Sequence, residues 1–217
     1  MPAIRTVVFD SDGTLMDGFS VIAGAYAYLA QLHGLSAPTP AEVRAQLAQS
    51  YPLPQILNTF FPSVPVEQLL RENGEYLLQH RANIATFAGL EAMLAELQSS
   101  NLQLAIVTGG NHKIHDVFRG HGIEQFFTSI VHCERVQRSK PDPEGFLLAM
   151  EECGSQPSEA IMVGDSPNDI FAGKNAGARY TIGVTHGNGS RADLQAANPD
   201  FVVDSLPELT STILSLK

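Results

Sequence analysis

Apolar and polar positions along this chain fall into a rhythm of short and long blocks. Six short runs are almost wholly apolar and rich in β-branched residues: IRTVVFD (4–10), LQLAIVTGG (102–110), TSIVHCE (128–134), AIMVGD (160–165), RYTIGVT (179–185) and DFVVD (200–204). Each closes on a polar or glycine turn. Such near-continuous hydrophobicity predicts strands buried on both faces. Between the runs, apolar residues shift to helical spacing. Leu90, Met93, Leu94 and Leu97 share one helical face, and Leu206, Leu209, Ile213 and Leu214 share another behind a Ser205–Glu208 capping pattern. Alternation of this kind predicts an α/β fold, a doubly wound and mostly parallel sheet covered on both faces.

One interval breaks the rhythm. Residues 17–84 carry helical patterns and no strand signal. Val66, Leu69, Leu70, Leu77 and Leu78 read as one apolar face of a long helix, and prolines at 38, 40, 52, 54, 62 and 65 divide the rest. A crossover connection needs one helix, whereas this segment can hold four. The expected organisation is therefore a helical cap at 17–84 inserted into an α/β core formed by 1–16 and 85–217.

Composition narrows the class. With 217 residues, 44% hydrophobic and 17% charged, the chain can bury a substantial core. A net charge of −10 argues against a nucleic-acid surface, so an anionic substrate must be held locally by a cation or by oriented N–H groups. Two cysteines without metal-type spacing, no signal-like leader and no membrane-length apolar run lead to the expectation of a cytoplasmic protein without a disulfide framework. Oligomeric state is not indicated.

In open α/β sheets, ligands bind beyond the carboxyl ends of the strands. Read together, those ends carry Asp10 and Asp12, then Thr108-Gly109-Gly110, then Lys140 in the turn after the third strand, then Asp165 with Asp169 close behind. Alternation along a strand puts Asp10 and Asp12 on one side with Ser11 turned away. Two like charges so placed need a cation or a shared proton. Oxygen ligands favour Mg²⁺ with water and phosphate completing its shell. The expected ligands are the side chains of Asp10 and Asp165 and the backbone carbonyl of Asp12. Asp10 is the expected nucleophile on phosphorus and Asp12 the acid/base. Thr108, Gly109 and Gly110, leading into a helical pattern from about His112, offer hydroxyl and N–H donors for phosphate. Lys140 offers a point charge to phosphate and to Asp10.

The segments FDSDGTL, IVTGG, SKPDP and VGDSPND, in this order, resemble the four motifs of the haloacid-dehalogenase superfamily, in the subgroup with a helical cap between the first two. VGDSPNDIFAGKNAGA followed by GVTHG looks most like its phosphoglycolate-phosphatase group. The resemblance implies the same roles for Asp10, Asp12, Thr108, Lys140 and Asp165, and places Asp169 near the metal. It implies a Mg²⁺-dependent phosphatase acting on a small phosphorylated metabolite, with phosphoglycolate as first candidate. A pyrophosphatase or a sugar phosphomutase would use the same core. A phospho-receiver signalling module is the rival of another class. The chain departs from the family pattern at Ser11, Gly18 and Gly109; Asp12, being an acid, speaks against the dehalogenases and phosphonatases of the superfamily.

Other residues have plainer readings. Asp17 reads as the cap of the following helix. His112 and His115, with His121 near, read as an exposed helix start rather than a zinc site. Cys133 reads as core or rim packing, His186-Gly187-Asn188-Gly189 as a turn, and Arg44 as part of a solvated helix face. The Ser50-Tyr51-Pro52-Leu53-Pro54 loop is a candidate for leaving-group selectivity.

Overall fold

The computed structural model describes residues 3–48 and 51–217. Six parallel strands form the main sheet: β1 (Thr6–Phe9), β4 (Gln103–Val107), β5 (Phe127–Val131), β6 (Ala160–Gly164), β7 (Tyr180–Val184) and β8 (Phe201–Val203). Their spatial order is β5-β4-β1-β6-β7-β8. The chain thus builds outward from β1 in one direction and then, from β6, in the other. The crevice where that direction reverses lies between β1 and β6, whose residues Thr6–Phe9 pair with Ala160–Val163.

Alternation along the strands supplies both faces. Val7 and Phe9 enter a cluster with Leu94, Leu104, Ile161 and Leu209. Val8 points the other way, toward Ala105, Phe146, Met150 and Met162. Helices α5 (Leu90–Ser99), α6 (Ile114–Gly120) and α10 (Leu206–Ser215) cover the first face, and α7 (Glu144–Cys153) with α8 (Pro167–Ala176) covers the second. The Ser205 hydroxyl caps α10 by accepting from the Glu208 N–H, as its sequence pattern predicts.

Four helices fill the interval that lacked strand signals: α1 (Phe19–Leu32), α2 (Pro40–Ala48), α3 (Leu53–Phe60) and α4 (Val66–His80). They carry their own apolar cluster, with Tyr26, Leu29, Val43, Leu57, Phe61 and Leu69 buried in it. A two-stranded antiparallel ribbon, β2 (Met16–Asp17) with β3 (Ala85–Thr86), joins this helical segment to the sheet. Asp17 therefore ends a strand; the residue before α1 is Gly18, and no side chain caps that helix. Along α4 the buried positions are Leu69, Glu72 and Asn73, not the whole leucine stripe. Glu72 is held by Gln68 Nε2 at 2.8 Å and His33 Nε2 at 2.7 Å, which makes a polar position tolerable there. Leu78 is left 41% exposed.

Candidate active site

β1 ends at Phe9, one residue earlier than its sequence pattern suggests, so Asp10 and Asp12 lie in the turn beyond it. The Asp10 N–H still donates to Val163 O at 2.9 Å, which fixes Asp10 against β6. The chain then folds on itself: Leu15 and Met16 N–H both donate to Ser11 O. Asp10 and Asp12 line the same cleft of about 580 Å³, but they do different things there. Carboxylate oxygens of Asp10, Asp165 and Asp169 lie within 4.8 Å of one another, all three residues buried. Asp12 stands outside this trio and faces the start of α1, where a Cβ on Gly18 would lie 3.7 Å from its Oδ1.

Two of the trio, Asp10 and Asp169, are held by a single cation. Lys140 Nζ donates to Asp10 Oδ1 at 2.5 Å, to Asp169 Oδ1 at 2.5 Å and to Val107 O at 3.0 Å. An ammonium has three protons, and all three are used by protein atoms. Burial works against its charge, but Asp10 and Asp169 outweigh burial and raise its pKa. Lys140 thus acts on Asp10 directly. Asp169 is fully engaged too: its other oxygen accepts from Ser166 N at 3.0 Å and Ser166 Oγ at 2.7 Å, a capping box that starts α8.

Burial sets the protonation of the acids. It pushes the Asp10 carboxyl well above its usual range; Lys140 pulls it back, and Asp169 and Asp165 push it further. Asp12 is raised as well, by burial, with Lys140 opposing. Asp165 is pushed up to about 7, by burial first and by the charge of Asp169 next, against an Asn188 N–H that favours the carboxylate. Three buried acids against one ammonium leave this corner short of positive charge. A divalent cation among oxygen donors would correct it, and the donor set suits Mg²⁺.

The 108–113 turn differs from expectation in one respect. β4 stops at Val107 and α6 begins only at Ile114, so Thr108, Gly109 and Gly110 do not sit at a helix start. Gly110 N–H is taken by Thr108 Oγ1 at 3.0 Å, and His112 N–H by Glu134 Oε2 at 3.0 Å. What remains for an anion in the cleft is the Thr108 hydroxyl, buried at the β4 end, and the Gly109 backbone.

Comparison with known proteins gives this geometry a lineage. Residues 7–183 match the haloacid dehalogenase-like hydrolase family. The chain belongs to that family. It is 32% identical to a phosphoglycolate phosphatase of Vibrio cholerae, covering 99% of both proteins, and 31% identical to the pyrophosphatase PpaX of Bacillus velezensis, covering 95% of this chain and 94% of that one. A haloacid dehalogenase-like family hydrolase from Streptococcus pneumoniae shares the fold, with a TM-score of 0.85 at 23% identity over 96% of this chain and 98% of that one. As a haloacid dehalogenase-like hydrolase the chain is an enzyme, and the receiver-module reading falls away.

Within this haloacid dehalogenase-like frame, some site residues carry no obvious sequence signal. The loop 186–189 reads as a turn, yet it encloses Asp165. Asn188 N–H donates to Asp165 Oδ2 at 2.7 Å, and a Cβ on Gly187 would fall 2.3 Å from that same oxygen. From the other side Gly13, at φ +87°, brings its backbone so close that a Cβ would lie 2.0 Å from Asp165 Oδ2. His186 ties this loop to the first turn through Nε2 and Thr14 O at 3.0 Å. Arg44 is exposed but not merely solvated: its guanidinium lies 3.8 Å from the Phe19 ring centroid and Nη1 donates to Gly187 O at 3.0 Å. Two glycines flanking an asparagine were the available signal, but glycine usually marks a turn, and its close-approach role shows only when the neighbour is known.

Of the three histidines that lie near one another in sequence, two pair with acids and one with a backbone carbonyl. His112 Nδ1 lies 2.7 Å from Glu134 Oε2, His115 Nδ1 lies 2.6 Å from Glu124 Oε1, and His121 Nε2 bonds Ile84 O at 2.7 Å. Cys133 and Cys153 are free; Cys133 follows β5 in a short turn, partly exposed, with its N–H on Gly110 O at 2.9 Å. Ser50 lies outside the described residues, while Tyr51, Pro52 and Leu53 line the cleft beside Asp10. Among the described residues, no helix is long and apolar enough to cross a membrane.

Proposed function

We propose that this protein is a Mg²⁺-dependent phosphatase that hydrolyses phosphate monoesters through a phosphoryl group carried on Asp10. The convergence of Asp10, Asp165 and Lys140 at the β1/β6 crevice, with Asp12 apart and facing the cleft, carries this reading. Asp10 and Asp165 would hold the ion, because the oxygens of Asp169 are occupied by Lys140 and Ser166. Bound there, Mg²⁺ would supply positive charge to the phosphoryl oxygens.

The chain's own residues divide the work. Lys140 opposes the protonation of Asp10 and orients it, so that a carboxylate oxygen can attack phosphorus while the ester P–O bond breaks. Asp12, whose pKa burial raises, donates a proton to the departing alkoxide. It then takes a proton from the water that cleaves the Asp10 acyl phosphate, releasing inorganic phosphate and restoring both acids. Thr108 Oγ and the Gly109 backbone steady the phosphoryl oxygens. Helices α1–α4 act as a cap over this chemistry, and the Arg44–Gly187 contact joins that cap to the loop around Asp165.

The decisive test is Asp10→Asn. Phosphate release should be lost while circular dichroism and melting stay those of a folded protein. In the unaltered enzyme, acid-quenched turnover should leave a peptide containing Asp10 heavier by one phosphoryl group. A fully active Asp10→Asn enzyme refutes the covalent route. Isomerised substrate without free phosphate would instead identify a phosphomutase.

A further inference from the structure

Beside the acid cluster lies a second cleft of about 740 Å³ between the inserted helices and the core. It is not a separate site. Asp12, Gly109 and Gly110 line it as well as the cleft of Asp10 and Lys140, so the two open into one another at the acid/base residue. A phosphate ester with its phosphorus at Asp10 must send its alcohol past Asp12.

The walls of this second cleft are mainly apolar. Val21 and Ile22 of α1 and Leu70 and Leu78 of α4 form one side; Ile114 and Val117 of α6 form the other. This explains the leucine stripe of α4, whose own cluster uses only part of it. Leu78 at 41% exposure and Leu53 at 39% are large apolar side chains kept in water at the edge of a reaction centre. The charged groups nearby are partly spent. Arg81 is paired with Asp116 at 2.7 Å, and Arg71, Glu75 and Lys113 bring charges of both signs to the same cleft. Mostly apolar hollows of roughly 300–1,000 Å³ suit ring-sized organic groups, far larger than glycolate or a second phosphate.

We propose that this cleft receives the alcohol portion of the substrate, and that this alcohol is bulky and largely apolar, an aromatic or alicyclic group rather than a small hydroxy acid or phosphate. The inference rests on the phosphatase reading and names its substrate class. It sets the chain apart from the phosphoglycolate- and pyrophosphate-directed names of its relatives.

The test compares phosphate release from 2-phenylethyl phosphate and ethyl phosphate, which leave as primary alkoxides of similar reactivity, with phosphoglycolate and pyrophosphate alongside. An apolar pocket rewards a single methylene by about tenfold or more, so kcat/KM for the phenylethyl ester should exceed that for the ethyl ester by at least about tenfold. It should also exceed both anionic substrates. Leu78→Asp should collapse the phenylethyl-to-ethyl ratio toward one. Leu147→Asp, an equally exposed leucine outside the cleft, should leave the ratio intact. A ratio near one, or a preference for phosphoglycolate or pyrophosphate, overturns the inference and leaves the phosphatase reading standing. A high ratio untouched by Leu78→Asp overturns the assignment to this cleft. Release from none of the four substrates removes both readings together.

Discussion

Replacing Lys140 with methionine tests the charge balance at the core of the site. The ammonium is the shared partner of Asp10 and Asp169, whose side chains are 10% and 1% exposed. Methionine keeps much of the volume and removes the charge, leaving two buried acids facing an apolar chain. Breaking a buried ion pair from one side costs about 3–5 kcal/mol. The acids can escape by taking up a proton, which at pH 7 costs about 4 kcal/mol for one ordinary carboxyl, at about 1.4 kcal/mol per pH unit. Both routes put the metal-free Lys140→Met protein about 4 kcal/mol below the wild type, read as a lower urea midpoint at unchanged slope. Adding Asp169→Asn removes one of the two stranded acids. The double variant should therefore be more stable than Lys140→Met alone, with a coupling of about 1–3 kcal/mol. Turnover should behave differently. Without the ammonium Asp10 loses the charge that opposes its protonation and the contact that orients it, so phosphate release should fall by about 10²–10³ in both variants, with no recovery in the double one. A Lys140→Met protein within about 1 kcal/mol of wild type would refute the argument, because the proposed compensation could not then be real. So would a double variant no more stable than the single.

Three further outcomes follow from other contacts. The carboxyl of Asp165, raised to about 7 in the metal-free protein, lies above its ordinary 3.8, so the folded state holds a proton that the unfolded chain has lost. Its contribution to stability is full below about pH 4 and is lost as pH rises toward 7; Mg²⁺ competes with that proton, so the melting shift it produces should grow from pH 5 to pH 8, and an equal shift at both would count against Asp165 as a ligand. Gly13→Ala would force a Cβ to within 2.0 Å of Asp165 Oδ2 at φ +87°, so it should cost about 1–3 kcal/mol and weaken the Mg²⁺-dependent melting shift; an unchanged shift would show that the first turn does not shape the ion site. Ser11 is fully buried and its hydroxyl has no partner among the described residues, so Ser11→Ala should raise the urea midpoint by the equivalent of about 1 kcal/mol, and a loss of stability would reveal a partner for that hydroxyl.

Periodicity and strand-end chemistry determined much of this protein in advance. The apolar runs place all six core strands, and the helical spacings place α5 and α10, because burial pattern is a local property that each segment carries by itself. The resemblance to four ordered motifs also puts Asp10, Asp12, Thr108, Lys140 and Asp165 at strand ends on one rim. Tertiary structure supplied the geometry of that rim. From the sequence, Asp10 and Asp12 take different roles but both stand at the end of one strand; in the structure the Asp10 side chain joins Asp165 and Asp169 while Asp12 stands apart, because the chain leaves β1 after Phe9 and turns through Ser11. Lys140 reads as a point charge for both phosphate and Asp10; in the structure its three protons end on Asp10, Asp169 and Val107. The 187–189 loop reads as a turn until Asp165 is seen inside it, and Leu78 reads as core until α4 turns it to the cleft. Local sequence fixes which face of an element is apolar. What that face meets depends on strand order and on the path of loops more than a hundred residues away, and those are set by packing the whole chain at once.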